Sequence, residues 1–546
     1  MTAVEVTAAR PPAVLDEAHV GDIRGALGTI RVDDFDARRT LSAKMKTLLA
    51  VVGPGLIVMI GDNDAGAFST YGQAGQNYGT RLLWTLLLLI PVLYVNQEMV
   101  LRLGAVTGVG HARLIMARFG KFWGAFEVFD LFILNALTII TEFIGITLAA
   151  GYLGVPKILA VVLAAGVIIS TAFTGSFRRF ERIAITFCAG SLLLIPLYMM
   201  SHPAGASMVR GFTTPDLPGG SGGMAVVMLL VIGIVGTTVA PWQLFFQQSY
   251  VVDKRITPRF MKYEKADLWI GIVVVVLGAA AVMGATAAAF AGTKGAGNFT
   301  DSAGLARGVA AYAGHLAGAV FAVALLDAAI IGAFAVSLSS AYAIGDVLGM
   351  NHSLHRGVGQ AKGFYAIYVA LICGAATVVL IPGSPLGLIT EGVQVLAGVL
   401  LPSATVFLLL LCNDKAVLGP WVNGRRTNAF TAAVISVLIT LSVILTVSVV
   451  FPHITAGQIL MIIAGCAAAA VAAGGALLAR STRGGAADEG VASYGDRMMW
   501  RMPPLSELPA PVITGARKVG LIGQRGYLAM AMILVVVKVV LMAIGH

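Results

Sequence analysis

Gly53-Pro54-Gly55 and Gly61-Asp62-Asn63-Asp64-Ala65-Gly66 lie inside the first long apolar segment of the chain. A carboxylate in hydrocarbon is costly, so a pair of them there is a functional feature by default. Glycine and proline around the pair predict a helix that breaks in mid-membrane. Such a break frees backbone carbonyls, which is tolerated where they line a cavity. A second interruption, Gly236-Thr237-Thr238-Val239-Ala240-Pro241-Trp242-Gln243, falls five apolar segments later. Two interrupted helices in matching positions of two halves predict a secondary transporter with its substrate site between them.

The 546 residues are 58% hydrophobic and 12% charged, against about 45–50% and about 25% in a soluble domain. The chain reads as an all-α polytopic membrane protein. Its 65 glycines suit closely packed membrane helices. The net charge of +10 is no sign of a nucleic-acid partner, because the basic residues sit in short loops as a positive-inside bias. Cys188, Cys373, Cys412 and Cys466 lie in or beside apolar stretches without metal-type spacing and read as packing residues, with no disulfide expected.

A span needs about 20 apolar residues. Candidates are 47–77 (broken), 81–104, 122–152, 156–174, 181–202, 223–250 (broken), 268–292, 316–346, 363–384, 388–413, 428–451 and 456–479, with 527–545 as a possible thirteenth. Lys538 in the last would snorkel to a surface. Loops carrying Arg102, Arg113, Arg118 and Lys121, or Arg178, Arg179 and Arg182, alternate with loops poor in Lys and Arg. This bias predicts a multi-pass cell-membrane protein with a cytoplasmic N-terminus.

Residues 1–44 have no sustained apolar run or signal peptide and read as a largely disordered cytoplasmic arm, with a short amphipathic helix conceivable near Leu15–Leu27. Residues 45–250 form the first repeat through the broken sixth helix, and 251–413 the rest of the second. Residues 428–479 add further helices, 480–526 read as a mobile polar loop, and 527–546 as a possible final span. Five is odd, so segments one to five run opposite to segments six to ten, the condition for an inverted repeat.

The chemistry concentrates at the breaks. Asp62 and Asp64 as solvated loop residues is the bland alternative, but the flanks leave too little apolar chain for two separate spans. A hard divalent cation wants oxygen ligands, and aspartate adds charge. Asp64 is the first choice as direct ligand and Asp62 the alternate. Pro241 displaces the carbonyl four residues back, so the backbone of Gly236 and Thr237 is expected to face the ion. Gln243 and Gln247 share one helical face. Gln243 is assigned to the site, while Gln247 is as well explained by a bond to a neighbouring helix. Trp242 is expected as a pocket wall, since indole has no acceptor.

Together with Gln97-Glu98-Met99, Arg102-Leu103-Gly104, Glu142 with Gly145, Arg179-Phe180-Glu181-Arg182, Ser337-Leu338-Ser339-Ser340, Leu401-Pro402 and Asn413-Asp414-Lys415, these motifs resemble the NRAMP family of divalent-metal transporters over roughly residues 45–450. The resemblance implies a LeuT-like inverted repeat of 5+5 helices, broken at helices 1 and 6, plus two or three C-terminal helices. Against the family pattern, Asp64 is kept, while Ala67 stands for an asparagine ligand and Ala240 for a methionine. Trp242 and Gln247 stand for histidines, and Ile139 stands for an aspartate three residues before the retained Glu142. Leu400 replaces a glutamine, although Gln394 matches an earlier one.

Methionine sulfur favours softer metals, and its loss leaves an all-oxygen site suited to Mg²⁺, which keeps several waters. The pattern resembles the NRAMP-related magnesium transporters. It implies carriage of Mg²⁺ and Mn²⁺ without proton coupling, the alternative being a proton-coupled Mn²⁺/Fe²⁺ transporter. No cofactor is expected beyond the transported ion. The expected partners are the divalent metal and the lipid bilayer, with no obligate protein partner.

Among the other acids, Glu98 and Asp346 near span ends read as structural. Glu127 and Asp130 read as interfacial. Asp327, deepest in the eighth span, either pairs with a polar neighbour or lines the aqueous path. A membrane-embedded enzyme or sensor would need a nucleotide motif, metallohydrolase spacing or an appended domain, none of which is found. An amino-acid carrier would not need paired acids in the first break.

Overall fold

The computed structural model describes residues 16–218, 223–383, 386–450, 454–481, 494–509 and 526. Residues 1–15 of the predicted arm and the predicted span 527–545 lie outside the described residues, as does much of 480–526.

From residue 16 the expected disorder is replaced by order. A 3₁₀ turn, Glu17–His19, leads to an antiparallel hairpin of β1 (Ile23–Gly25) and β2 (Gly28–Ile30), with Ile23 opposite Ile30. Ile23, Ala26 and Ile30 are buried at 2–4% exposure. These three apolar side chains are too few to register as a hydrophobic run, yet they seat the hairpin on the bundle. No amphipathic helix forms near Leu27.

The first apolar segment is interrupted twice. Helix α1 (Leu41–Val51) meets α2 (Pro54–Gly61) at a 51° bend, and α3 (Ala65–Tyr78) follows the Asp62-Asn63-Asp64 break. Gly53 makes the first bend at φ 152°, a region that favours glycine. Pro54 then opens α2, where a missing N–H costs nothing.

The remaining elements follow in order: α4 (Trp84–Thr107), α5 (His111–Phe119), α6 (Lys121–Tyr152), α7 (Lys157–Ala172), α8 (Phe177–Cys188), α9 (Leu194–Ser201), α10 (Gly205–Thr213), α11 (Gly223–Thr238) and α12 (Pro241–Asp253). The second half continues with α13 (Met261–Phe290), α14 (Ser302–Ala313), α15 (His315–Leu348), α16 (Lys362–Val379), α17 (Leu386–Cys412), α18 (Lys415–Leu418), α19 (Arg425–Val450), α20 (Ala456–Ser481) and α21 (Tyr494–Met499).

Among the described residues nine helices are long and apolar enough to cross a membrane, or ten if the bent α1/α2 pair counts as one span. Lys157–Ala172 and Gly457–Ala472 are apolar but shorter.

Three local departures matter. The fifth segment is not one helix: a 3₁₀ stretch, Ala189–Leu193, separates α8 from α9. The seventh begins at Met261 rather than 268, which carries Glu264 and Asp267 into the packed bundle, both 0% exposed. Part of the supposed mobile loop is docked. Arg497 stacks over Trp421 at 4.2 Å and its carbonyl accepts from the Trp421 indole at 2.9 Å. Arg118 donates to the Pro509 carbonyl at 2.6 Å.

Candidate functional site

Both breaks sit in the core, where α2, α3, α11 and α12 converge with α4, α6, α15 and α17. Asp62, Asn63, Asp64, Ala67, Thr237, Ala240, Trp242, Gln243, Gln247, Gln394 and Glu142 are all buried.

At the first break, Asp64 caps α3: its Oδ1 accepts from Ala67 N at 2.8 Å. Glu142 Oε2 accepts from Ala65 N at 3.1 Å. The two carboxyls therefore satisfy the N–H groups at the positive end of α3. Both side chains also converge on one spot of α15. Gly332 of α15 lets them meet, since a Cβ there would stand 2.7 Å from Glu142 and 2.9 Å from Asp64 Cβ. The Gln394 amide lies against Gly66, beside Asp64 Oδ1, in space a side chain at 66 would take. Ala67, fully buried, contributes its backbone N–H and a small volume.

Asp62 faces the second break. Its Oδ1 accepts from Gln243 Nε2, and Gln243 Oε1 accepts from Gln97 Nε2 at 2.8 Å. Gln243 thus presents its amide NH₂ to the aspartate, and its carbonyl is engaged by Gln97. Helix α11 ends at Thr238, Ala240 is extended, and Pro241 starts α12 with no side-chain cap. Thr238 Oγ1 bonds Tyr71 OH at 2.7 Å, tying the two breaks together. Trp242 packs its ring beside Gly61, and its carbonyl accepts from Ser339 Oγ at 2.9 Å.

Several buried atoms around the breaks have no partner: Asp62 Oδ2, Asn63 Oδ1, Glu142 Oε1, Thr237 Oγ1, both polar atoms of Gln247, Ser337 Oγ and Gln394 Nε2. Most buried polar groups are paired, so such a cluster asks for a ligand or water. Among the described residues no three His, Cys, Asp or Glu side chains converge as a metal cage.

Asp327 does not join this group. It lies half-buried against Gly190 of the 3₁₀ stretch, in a small cavity that Asn63 and Ser191 also line. Glu127 is buried and accepts from Ser403 Oγ at 3.1 Å. Asp130 is buried too. Gln97 and Tyr71 were not singled out for the site by sequence. Gln97 carried a signal, being a glutamine inside an apolar run, while Tyr71 carried none. Asp267, whose Oδ2 accepts from Gly53, Gly55 and Leu56 N–H at 3.1, 2.7 and 3.3 Å, holds the start of α2. It was obscured by the late predicted start of the seventh span.

An all-α bundle with two helix breaks facing each other across its core is the architecture of a polytopic membrane transporter. The family model described as natural resistance-associated macrophage protein-like (Nramp) matches residues 55–448, and the chain belongs to that family. It is 28% identical over 417 residues to the divalent metal cation transporter MntH of Ralstonia nicotianae, covering 72% of this chain and 89% of that one. With the MntH of Klebsiella pneumoniae subsp. pneumoniae it shares 25% over 441 residues, 76% of this chain and 96% of that one. Its fold matches the crystal structure of an Eremococcus coleocola manganese transporter mutant at a TM-score of 0.61 and 20% identity, over 84% of this chain and 97% of that one.

Proposed function

We propose that this chain carries divalent cations, Mg²⁺ and Mn²⁺, across the cell membrane by alternating access, with the ion held between the breaks and the N-terminus on the cytoplasmic side. The supporting observation is the donor set. Asp62, Asp64, Thr237 and Gln394 surround the breaks with oxygen and amide groups, and Gln243 joins them once its carbonyl turns from Gln97. Ala67 and Ala240 leave no sulfur and little bulk beside them. An ion there keeps part of its water, which suits Mg²⁺. Ile139 and Gln247 cannot titrate, which supports transport driven by the ion gradient and membrane potential alone.

A second reading, proton-coupled Mn²⁺/Fe²⁺ transport, has one observation in its favour. The Asp64 and Glu142 side chains converge at Gly332 of α15, and two carboxyls so close in a buried site favour a shared proton that an arriving cation would displace. Metal uptake into proteoliposomes with a luminal pH dye separates the two. The uncoupled reading expects Mg²⁺ and Mn²⁺ influx with no acidification beyond protein-free vesicles. Metal-dependent acidification that disappears in Glu142→Gln contradicts it in favour of coupling.

A further inference from the structure

The end of the bundle where α2 begins is closed by residues 16–36. Polar bonds make most of the closure. Glu181 of α8, 0% exposed, accepts from Ala26 N of the hairpin turn at 2.6 Å and pairs with Lys254 at 2.6 Å. Lys254 in turn donates to the Val52 carbonyl at 2.8 Å, at the bend between α1 and α2. Arg178 and Arg182 of α8 donate to the carbonyls of Gly25 and Ala26, both at 3.0 Å. Arg255, just past α12, donates to the Ala18 carbonyl at 2.7 Å.

Farther along, Asp16 accepts three bonds from Arg356 in the α15–α16 loop, the shortest at 2.6 Å. His19, buried, points at Asp253 at 3.5 Å. The hairpin also sits flush on α1: a Cβ at Gly28 would stand 2.8 Å from that of Ala50.

One strap therefore ties together four parts of the fold: the α1–α2 bend, α8, the end of α12, and the α15–α16 loop. The break at Asp62 lies one short helix away, since eight-residue α2 is about 12 Å long at about 1.5 Å per residue. Helix α2 packs against both α8 and α12 at this end, so a path from the break to this side opens where those helices separate. The strap bridges those elements, and its bonds run to backbone carbonyls and single charged groups that water can replace.

We propose that residues 16–36 are an intramolecular latch on this mouth of the transporter. Docked, they hold α1 and α2 against α8 and α12; undocked, they let the mouth open. The latch rests on the alternating-access reading above, and the test below keeps the two apart.

The reporter is Ala50→Cys, buried beneath the hairpin, in full-length protein carrying Cys373→Ser and Cys466→Ser. The remaining Cys188 and Cys412 are buried. Labelling by an impermeant maleimide is read with both faces of the membrane accessible. Asp16→Arg and Arg356→Asp should each raise the labelling rate about tenfold or more, as expected for a lost charge-assisted bond. The double charge swap should restore protection, which a misfolded single variant would not predict. Mn²⁺ should also speed labelling in the unswapped background, because each turnover undocks the strap.

Unchanged labelling in both single variants overturns the latch. So does labelling that stays flat while Mn²⁺ is being taken up. Charge-swap behaviour as expected in a protein that takes up neither Mn²⁺ nor Mg²⁺ supports the latch and removes the transport reading instead.

Discussion

Two buried polar regions of this chain are built in opposite ways. At the α1–α2 end, the hydrogen-bonding capacity of the central carboxylates is filled. Asp253 accepts from Tyr342, Ser353 and Leu354 at 2.6, 2.5 and 2.8 Å, and Glu181 takes Ala26 and Lys254. At the breaks, Asp62, Asn63, Glu142, Thr237, Gln247 and Gln394 each keep a buried atom without a partner. Filled networks rigidify, while unfilled ones are costly unless something arrives to fill them. That contrast is what the proposals of a fastener at the first region and a binding site at the second rest on. Glu264 and Asp267 are exceptions on the fastened side: both Glu264 oxygens and Asp267 Oδ1 are buried and unpartnered.

The largest expected effect lies at the unfilled region. Asp64→Ala should reduce metal uptake to background, and Asp62→Ala should do the same, while each protein still folds. Radiotracer uptake beside size-exclusion profiles checks this. Near wild-type uptake by Asp64→Ala would pass the ligand role to Asp62, whose Oδ2 is free. At the filled region the expected loss is stability. Lys254→Met leaves Glu181 a buried, uncompensated charge, a change that costs about 3–5 kcal/mol. It should appear as a lowered melting temperature, and an unchanged one would erase the distinction between fastener and binding site.

Smaller effects refine the contrast. Ala67→Asn with Ala240→Met should shift preference from Mg²⁺ toward Mn²⁺ and softer ions, read as the ratio of initial uptake rates. Proton concentration should act on the fastener. Burial holds His19 below the ordinary histidine value of 6.5, against the pull of Asp253, with nearby His352 adding to the depression and Asp16 and Asp346 opposing it. A base whose docked value is lowered binds protons better when undocked. Docking is therefore at full strength above 6.5 and weakens as pH falls below it. Protection factors of amides 18–30, with the intrinsic pH dependence of exchange divided out, should fall between about pH 7.5 and about pH 5.5, and much less in His19→Ala.

The same division separates what was legible in the sequence from what was not. The breaks announced themselves because acids, glycines and prolines are costly inside apolar runs and seldom sit there without a role. Asp62, Asp64 and Gln243 were found that way and Gln394 through the family resemblance, and all four lie beside the breaks. The fastener was not legible. Its contacts are arginines and lysine donating to backbone carbonyls, and a carbonyl leaves no trace in side-chain pattern. Ile23, Ala26 and Ile30 bury too little apolar surface to stand out. The place of Asp327 stayed open for a related reason. Depth within a span was visible, but the direction it faces, toward Gly190 rather than Asp64, depends on how α15 is rotated against its neighbours.

Transport of Mg²⁺ and Mn²⁺ through one path requires that the breaks form an oxygen-lined site which accepts an ion with part of its water. Mn²⁺ uptake by the wild-type protein in proteoliposomes, measured against rising Mg²⁺, puts that requirement to the proof. Excess Mg²⁺ should suppress Mn²⁺ uptake and should itself be carried. Mn²⁺ uptake that excess Mg²⁺ leaves untouched would contradict such a site.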